Sequence, residues 1–436
     1  MKAIHIGEIR AQSVRERKED IMSKDTKTSA KKKGAGALLG AAFLMATSAI
    51  GPGFLTQTAT FTSSLGSSFG FVILATIILA AIAQLNIWRV LCSSGLRGQD
   101  AANKMLPGLG VLVSVLIVFG GIVFNIGNVG GGGLGLNALV GLPLVPGYLI
   151  TAALAVCIFL FKQAKSLMDT VTKVLGGVMI LLILIVIFIV QPPVGDALKN
   201  TFVPSAGYLS GDMRNAILTL LGGTVGGYIT FAGAHRLIDA GTTGQERLPD
   251  INKSAVMGIG IATIVRILLF LAILGVVVKG SVDLTAAAEG DISNPAATAF
   301  RLGAGELGYR FAGLVLFCAA ITSVIGCSYT SVSFMKSIKF VEKNENWFVI
   351  GFIVLSCLVM CVLGTTPATL LVLAGAINGL ILPITLAICL IAAKVKKIVG
   401  ESYSHPMVLW ILGWIVVVIS GYLGVTTFIS KIASLF

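Results

Sequence analysis

The sequence predicts an all-α, polytopic membrane protein with about eleven transmembrane helices, and three observations lead to this fold class. Charged residues make up only 12% of the 436 residues, whereas soluble domains carry roughly 25%. The mean hydropathy is +0.95. Apolar stretches of about 20 residues, each long enough to cross a bilayer, recur from Gly36 to Phe428.

The apolar stretches set approximate bounds for the predicted spans, of which the first two abut. In chain order they are 37–72, 69–92, 108–138, 143–162, 172–191, 216–238, 255–279, 311–335, 346–365, 368–393 and 406–428.

The formal charge of +13 follows membrane topology and does not indicate nucleic-acid binding. If the amino terminus is cytoplasmic, the basic tail and most of the other Lys and Arg residues fall on the inner side, as the positive-inside rule requires. We therefore expect a multi-pass protein of the plasma membrane, surrounded by lipid and without a nucleic-acid partner. The tail before Gly34 lacks the apolar core of a signal peptide, and Met22 offers a second start position.

Spans 1 and 6 are interrupted in corresponding places. Residues 51–66 and 221–233 are rich in Gly, Thr and Ser at membrane depth. Irregular backbone survives in a bilayer only where protein or a water-filled cavity satisfies its polar groups. Five spans lie between the starts of the two interrupted helices, which predicts a 5+5 inverted repeat of the kind found in secondary-active transporters, with a solute site between the breaks.

This pattern divides the chain into four parts. They are a basic, disordered cytoplasmic tail (1–35), a first five-helix repeat (36–195), a second five-helix repeat (196–400) and an additional eleventh helix with a short tail (401–436).

Four segments resemble one known transporter family: Gly51-Pro-Gly-Phe-Leu55, the stretch Val123–Leu139, Gly222-Gly-Thr-Val225 and the run Leu370–Pro383. Together they are similar to the NRAMP (natural resistance-associated macrophage protein) family of metal ion transporters over most of residues 36–430. The resemblance implies a LeuT-type fold with eleven helices, a cytoplasmic amino terminus and proton-coupled uptake of ions such as manganese or iron.

The chain looks like a divergent branch of that family, because the family's functional motifs are replaced. Aligned on Gly-Pro-Gly-Phe-Leu, the family's Asp-Pro-Gly-Asn falls on residues 62–65, Thr-Ser-Ser-Leu. Its Met-Pro-His falls on Gly226, Gly227 and Tyr228, and its acidic pair in helix 3 falls on Asn125 and Asn128. The metal ligands that the resemblance implies are therefore absent.

The charged residues give the same result without any alignment. None of the 19 acidic residues falls inside a predicted span, so the core offers no carboxylate to neutralise a divalent cation. One basic residue does lie at depth, Arg266 in span 7. An intramembrane arginine is a functional-site candidate, although it can also serve as a structural clamp on backbone carbonyls. Its expected partners are Asn125 or Asn128, carbonyls of the broken helices, lipid headgroups or a bound anion.

The candidate substrate-binding residues combine the polar residues of the two breaks with those of span 3 and the buried arginine. They are Gln57, Thr58, Thr62, Ser63, Ser64, Asn125, Asn128, Gly226, Gly227, Tyr228, Thr230 and Arg266. We predict no confident metal ligand among them.

The sequence thus predicts a secondary-active transporter of NRAMP-like architecture. Its solute is a hard cation or a small polar solute; alternatively it is a small organic anion such as a carboxylate, carried with sodium or protons. A passive channel is a further alternative. An enzyme would need a carboxylate, histidine or metal constellation among the helices, which the sequence lacks, so we predict neither enzymatic activity nor a cofactor. The sequence specifies neither the oligomeric state nor the direction of transport.

Overall fold

The computed structural model describes residues 49–280, 283–284, 293–363 and 365–433. The predicted tail (1–35) and the first part of span 1 lie outside the described residues.

The described chain is built from α-helices joined by short turns, and these residues contain no β-strand. Up to residue 202 the helices are α1 (Pro52–Leu65), α2 (Phe69–Ser94), α3 (Gly98–Met105), α4 (Leu109–Val140), α5 (Leu144–Leu160), α6 (Lys162–Val190) and α7 (Val194–Phe202). They are followed by α8 (Gly211–Val225), α9 (Ile229–Asp239), α10 (Leu248–Gly280), α11 (Pro295–Ser333), α12 (Lys339–Lys343), α13 (Glu345–Val362), α14 (Pro367–Ala392), α15 (Lys396–Val399) and α16 (Met407–Ala433).

The multi-pass architecture is confirmed by the length and hydropathy of these helices. Eight stretches of the described chain can each cross a membrane, and a ninth is added if Gly176–Val190 and Val194–Phe202, which meet at 107°, count as one span. The shorter apolar helix α5 is a further candidate, and the count of eleven spans stays a prediction. Large apolar side chains such as Phe188, Val362 and Val418 are exposed on the outer faces of the spans, as expected for contact with lipid.

Local sequence explains where several helices begin. Proline occupies the first position of α1, α11 and α14, where its missing N–H leaves no hydrogen bond unmade. The side chains of Ser210, Asn294 and Thr366 accept hydrogen bonds from backbone N–H groups three residues later. These caps fix the starts of α8, α11 and α14.

The interruption of span 1 lies at the start of the predicted segment 51–66. Residue 49 is helical, Ile50 and Gly51 are not, and α1 then runs without a break to Leu65. Residues 62–65, on which the alignment places the family's Asp-Pro-Gly-Asn, do not form the break, because they are helical and Thr62 donates its hydroxyl proton to the carbonyl of Thr58. The break is formed by Gly51 and followed directly by Pro52.

The interruption of span 6 lies where the sequence predicts it. The α8 helix ends at Val225, and α9 begins at Ile229. Gly227 between them has φ of +53°, in the left-handed region that favours glycine. A Cβ on Gly227 would also collide with the side chain of Asn378 in α14. This position therefore requires glycine for two independent reasons.

Glycines bring α4 close to its neighbours. A Cβ on Gly135 would lie 2.6 Å from the backbone nitrogen of Phe317 in α11 and 2.8 Å from the carbonyl oxygen of Gly313. The four consecutive glycines of α4, residues 130–133, contact Pro367, Pro52, Thr151 and Tyr148 in turn. The glycine-rich stretch therefore serves close helix packing, as small residues do in membrane proteins.

We expect Gly135→Ala to lower the melting temperature of the purified protein, because overpacking a backbone contact costs about 1–3 kcal/mol. Gly351→Ala is the matched control, since a Cβ on Gly351 of α13 meets nothing within 4 Å. That control should be neutral or slightly stabilising, because alanine favours helix over glycine. Equal melting temperatures for the two variants would contradict the close packing of α4 on α11.

His405, in the connection before α16, is held in its neutral form by a chain of hydrogen bonds. Its Nε2 lies 2.9 Å from Asn86 Oδ1, and its Nδ1 lies 2.7 Å from the Tyr403 hydroxyl. Because Asn86 Nδ2 donates to two backbone carbonyls, its Oδ1 faces His405 and accepts from Nε2. Burial, and then the positive charges of Arg89 and Lys394, lower the pKa of His405 to about 4.

This lowered pKa predicts how stability depends on pH. The unfolded chain takes up a proton at His405 near its ordinary pKa of about 6.5, whereas the folded protein does so only near pH 4. The contribution of His405 is thus complete above pH ~6.5 and is lost as pH falls from there towards 4. We expect the melting temperature of the native protein to fall more steeply over this window than that of His405→Gln, which cannot titrate. Parallel profiles would contradict the prediction.

Candidate solute-binding site

The two interrupted helices meet beside α4. A Cβ on Gly51 would lie 3.7 Å from Asn128 Oδ1 and 2.5 Å from Ser323 Oγ in α11. Tyr228, at the break between α8 and α9, is buried, and its ring packs edge-on against Phe124 of α4, with 5.9 Å between the ring centres. The α4 helix therefore contacts both breaks, through Asn128 at Gly51 and through Phe124 at Tyr228.

A buried arginine lies next to these breaks. Arg266 in α10 is 4% exposed, and its Nη1 donates a hydrogen bond of 2.8 Å to Thr224 Oγ1 in α8. Its guanidinium carbon lies 4.1 Å from the centre of the Phe54 ring in α1. Within the described residues, neither Nε nor Nη2 has a hydrogen-bond partner. Burying such donors without an acceptor costs about 1–3 kcal/mol each, and more for a charged group.

The start of α1 adds positive potential to this region. No side chain caps its first turn, and backbone N–H groups at a helix start carry a partial positive charge. Phe54, which lies beneath Arg266, belongs to this same first turn. A cation and a helix amino terminus placed together favour an anion between or beside them.

Gln57, one turn further along α1, contributes an acceptor that lacks a donor. Its side chain is fully buried, and its Nε2 donates a 3.0 Å hydrogen bond to the carbonyl oxygen of Leu371 in α14. Its Oε1 points at Gly223 in α8, where a Cβ would lie only 2.5 Å away. In the part of the chain that the structure describes, Oε1 accepts no hydrogen bond.

The geometry includes no metal-binding cluster of the ordinary kind. Among the described residues, no group of three or more His, Cys, Asp or Glu side chains is placed to hold a metal ion. Two buried amide oxygens, Asn125 Oδ1 and Asn378 Oδ1, also lack hydrogen-bond donors in the described chain. Neutral amide oxygens of this kind are the metal ligands that the site provides.

Comparison with known proteins assigns the chain to a family. A sequence model described as "Natural resistance-associated macrophage protein-like" (Nramp) matches residues 42–430. The chain belongs to the Nramp family. It is therefore a multi-pass membrane transporter and not an enzyme, as the sequence predicts.

Relatives of similar length support the family assignment. The membrane protein YcsG of Bacillus subtilis (strain 168) is 53% identical over 95% of this chain and 100% of its own length. A membrane protein of Haemophilus influenzae is 50% identical over 92% of this chain and 98% of its own length.

Solved structures confirm the LeuT-type fold. The manganese transporter of Eremococcus coleocola matches with a TM-score of 0.72 at 19% identity, over 92% of this chain and 87% of that one. MhsT in complex with L-phenylalanine matches with a TM-score of 0.58 at 17% identity, over 90% and 98% of the two chains.

The structure brings together some of the residues that the sequence predicts. Gln57, Asn128 and Arg266 contact the segments that form the two breaks, and Gly226, Gly227 and Tyr228 form the break in span 6. Asn125 is buried beside them, but its Nδ2 donates to Ser328 and Ser356, 3.1 Å from each.

Other predicted residues lie apart from the breaks or are already bonded within their helices. Thr58 and Thr62 donate to carbonyls of their own helix. Ser63 lies at the far end of α1, where it contacts Asp283 and the backbone N–H of Leu284, and Ser64 is exposed. Thr230 is buried in α9, with its carbonyl oxygen accepting from Trp88 Nε1.

Two contacts of Arg266 were missed by sequence reasoning. Phe54 and Thr224 both lie inside the motifs that carry the Nramp resemblance, Gly51–Leu55 and Gly222–Val225. Their position in those motifs is the sequence signal that could have identified them as site residues. Nothing in the sequence pairs either residue with an arginine in span 7.

Side-chain contacts join the start of α3 and the end of α9 to the last turns of α11. Arg97 Nη2 lies 2.6 Å from Asp239 Oδ1, and the Tyr329 hydroxyl donates to Asp239 Oδ2 at 3.1 Å. His235 lies just above, with Nε2 accepting from the N–H of Gly98 and Nδ1 2.9 Å from Ser333 Oγ. This network closes the end of the molecule that carries the basic connections.

The bond between Arg266 and Thr224 predicts a difference between two buried threonines. Thr224 and Thr58 each donate to a carbonyl four residues earlier in their own helix, but only Thr224 also accepts from Arg266. We expect Thr224→Val to lower the melting temperature by more than Thr58→Val does, because it removes a hydrogen bond to a charged group, worth about 1.5–3 kcal/mol. A larger loss in Thr58→Val would show that Arg266 does not depend on Thr224.

Proposed function

We propose that this Nramp-family chain is a secondary-active transporter whose solute is a small organic anion, such as a carboxylate. The observation that carries the proposal is Arg266, which is buried beside both broken helices with two guanidinium nitrogens lacking acceptors in the described chain. A carboxylate accepts two parallel hydrogen bonds from a guanidinium, so it fits these donors in number and in charge.

The surroundings of Arg266 favour an anion over a divalent cation. Within the described residues Arg266 is hydrogen-bonded to the neutral Thr224 hydroxyl and has no carboxylate partner at Nε or Nη2. A divalent metal ion would enter a site with net positive charge and without the anionic oxygens that such ions prefer. Electrostatic repulsion and desolvation both oppose its binding.

The position of the helix break supports the same proposal. We assign the Asp-Pro-Gly-Asn pattern of the family to Gly51-Pro-Gly-Phe54, since these residues form the interruption and keep its central Pro-Gly. Gly51 and Phe54 then stand where the pattern has Asp and Asn. This assignment replaces two oxygen ligands by a glycine and by the ring that stacks on Arg266.

The fold accommodates organic solutes as well as metal ions. The Eremococcus coleocola neighbour is a manganese transporter, whereas MhsT with the same fold is in complex with an amino acid, L-phenylalanine. One architecture therefore hosts both solute classes, and the side chains of the site decide between them.

We further propose that the amino terminus is cytoplasmic, that the protein resides in the plasma membrane, and that sodium or protons drive transport. The end closed by Arg97 and Asp239 is then the inner gate. Alternating access would require that this ion pair opens while the outer contact of Ser63 with residues 283–284 closes.

A second candidate solute is a hard cation. The buried amide oxygens of Gln57, Asn125 and Asn378, which accept no hydrogen bond in the described chain, favour it. Such oxygens can coordinate sodium or a weakly held divalent ion without help from a carboxylate.

The test of the anion proposal uses purified protein in lipid nanodiscs and in proteoliposomes. A panel of small carboxylates and of divalent metals is screened by thermal stabilisation, and the hits are assayed for uptake under separate sodium and proton gradients. We expect at least one carboxylate to bind and to accumulate, and Arg266→Gln to weaken its binding by roughly 10- to 100-fold, since a hydrogen bond to a charged group is worth about 1.5–3 kcal/mol.

Arg310→Gln is the matched control, because Arg310 is exposed and pairs with Glu306 at the surface. It should bind the carboxylate as the native protein does. A response to metals alone, or carboxylate binding that survives Arg266→Gln at unchanged affinity, would refute the anion proposal. Strictly downhill flux would instead indicate a passive channel.

A further inference from the structure

The Gln57 amide has one orientation, which its neighbours determine. Nε2 donates to the carbonyl oxygen of Leu371, so the amide oxygen must point the other way. A Cβ on Gly375 would lie 2.5 Å from Nε2, and one on Gly223 would lie 2.5 Å from Oε1. Glycines on α8 and α14 therefore make room for this side chain between the helices.

The amide oxygen is an unused acceptor in a fully buried place. Gln57 is 0% exposed, and within the described residues its Oε1 has no donor. Leaving a buried acceptor unsatisfied costs about 1–3 kcal/mol, which a ligand that donates a hydrogen bond recovers. An unused acceptor does not define a site on its own, because Gln84 in α2 has the same arrangement, with Nε2 bonded to the Ala255 carbonyl.

Gln57 differs from Gln84 in that residues next to its own neighbours contact Arg266. Gln57 Oε1 faces Gly223, and the next residue, Thr224, is the hydrogen-bond partner of Arg266. Phe54, which lies under the guanidinium, is one helical turn before Gln57 on the same face of α1. Unused donors and an unused acceptor therefore border the same short stretches of α1 and α8.

We propose that Gln57 determines the specificity of the Arg266 site by accepting a hydrogen bond from the solute. The solute is then a small organic anion that carries a neutral donor, a hydroxyl or an amide N–H, a few bonds from its carboxylate. The carboxylate pairs with Arg266, and the donor binds Gln57 Oε1. A charged ammonium group fits less well, because it would face the guanidinium across a low-dielectric interior. This inference rests on the proposed anion transport.

The test compares pairs of acids that differ only in the donor. Lactate is paired with propionate, glycolate with acetate, malate with succinate, and N-acetylglycine with levulinate, in which a methylene replaces the amide N–H. Dissociation constants are measured on the full-length protein in nanodiscs. In at least one pair we expect the donor-bearing acid to bind at least tenfold more tightly, about one hydrogen bond.

Variants assign this preference to a residue. Gln57→Met should bring the ratio within the pair close to one while the donor-free acid still binds. Gln84→Met, the matched control, should keep the preference of the native protein. Arg266→Gln should weaken both members of the pair. If Gln57→Met does not fold, Gln57→Leu takes its place, and the comparison of pairs in the native protein needs no variant.

The outcomes separate this inference from the proposed function. Equal binding within every pair, or a preference that persists in the Gln57 variant, would overturn the role of Gln57 while leaving Arg266-dependent anion binding intact. A Gln57 variant that loses only a sodium dependence would also overturn it, since the oxygen would then be a cation ligand. If no carboxylate binds, the anion proposal itself fails.

Discussion

The incompletely paired guanidinium of Arg266 is the constraint around which the site is arranged. A charged group in a membrane protein must find partners inside the protein, because lipid offers none. In the described chain Arg266 has one hydroxyl and one aromatic face, which leaves donors unused. The first turn of α1, itself positive, lies on the same side. The proposed anion would satisfy both features together.

Backbone irregularity makes this arrangement accessible to a solute. Ile50 and Gly51 are not helical before α1, and Gly227 adopts a left-handed conformation between α8 and α9. Both breaks would be costly in lipid, where every N–H and C=O must be satisfied within the protein. The α4 helix contacts both of them, and its glycines let the neighbouring helices approach closely. The same small residues that allow close packing thus allow the discontinuities at which a solute can meet polar groups.

The fold could be predicted from the sequence to a large extent, whereas the site could be predicted only in part. Hydropathy specifies the spans because a bilayer imposes a length, and the glycines at 226–227 correctly mark the break in span 6. The hydroxyl-rich residues 62–64 misled the prediction, because threonine and serine bond back to their own helix as readily as they mark irregular backbone. The contact of Arg266 with Thr224 and Phe54 joins three separate helices, and such a contact depends on how the helices pack.

The location of Arg266 also suggests how binding could be coupled to movement. Its guanidinium contacts α8 and α1, which belong to the second and first predicted repeats, while Gln57 of α1 is bonded to α14. A solute held by Arg266 and Gln57 would therefore contact elements that must move relative to one another in alternating access. A ligand shifts a conformational equilibrium only by its difference in affinity between the two states. These donors and acceptors come from different helices, so one solute would contact all of them in only one arrangement of the helices. The solute would therefore bind that conformation more tightly than the other.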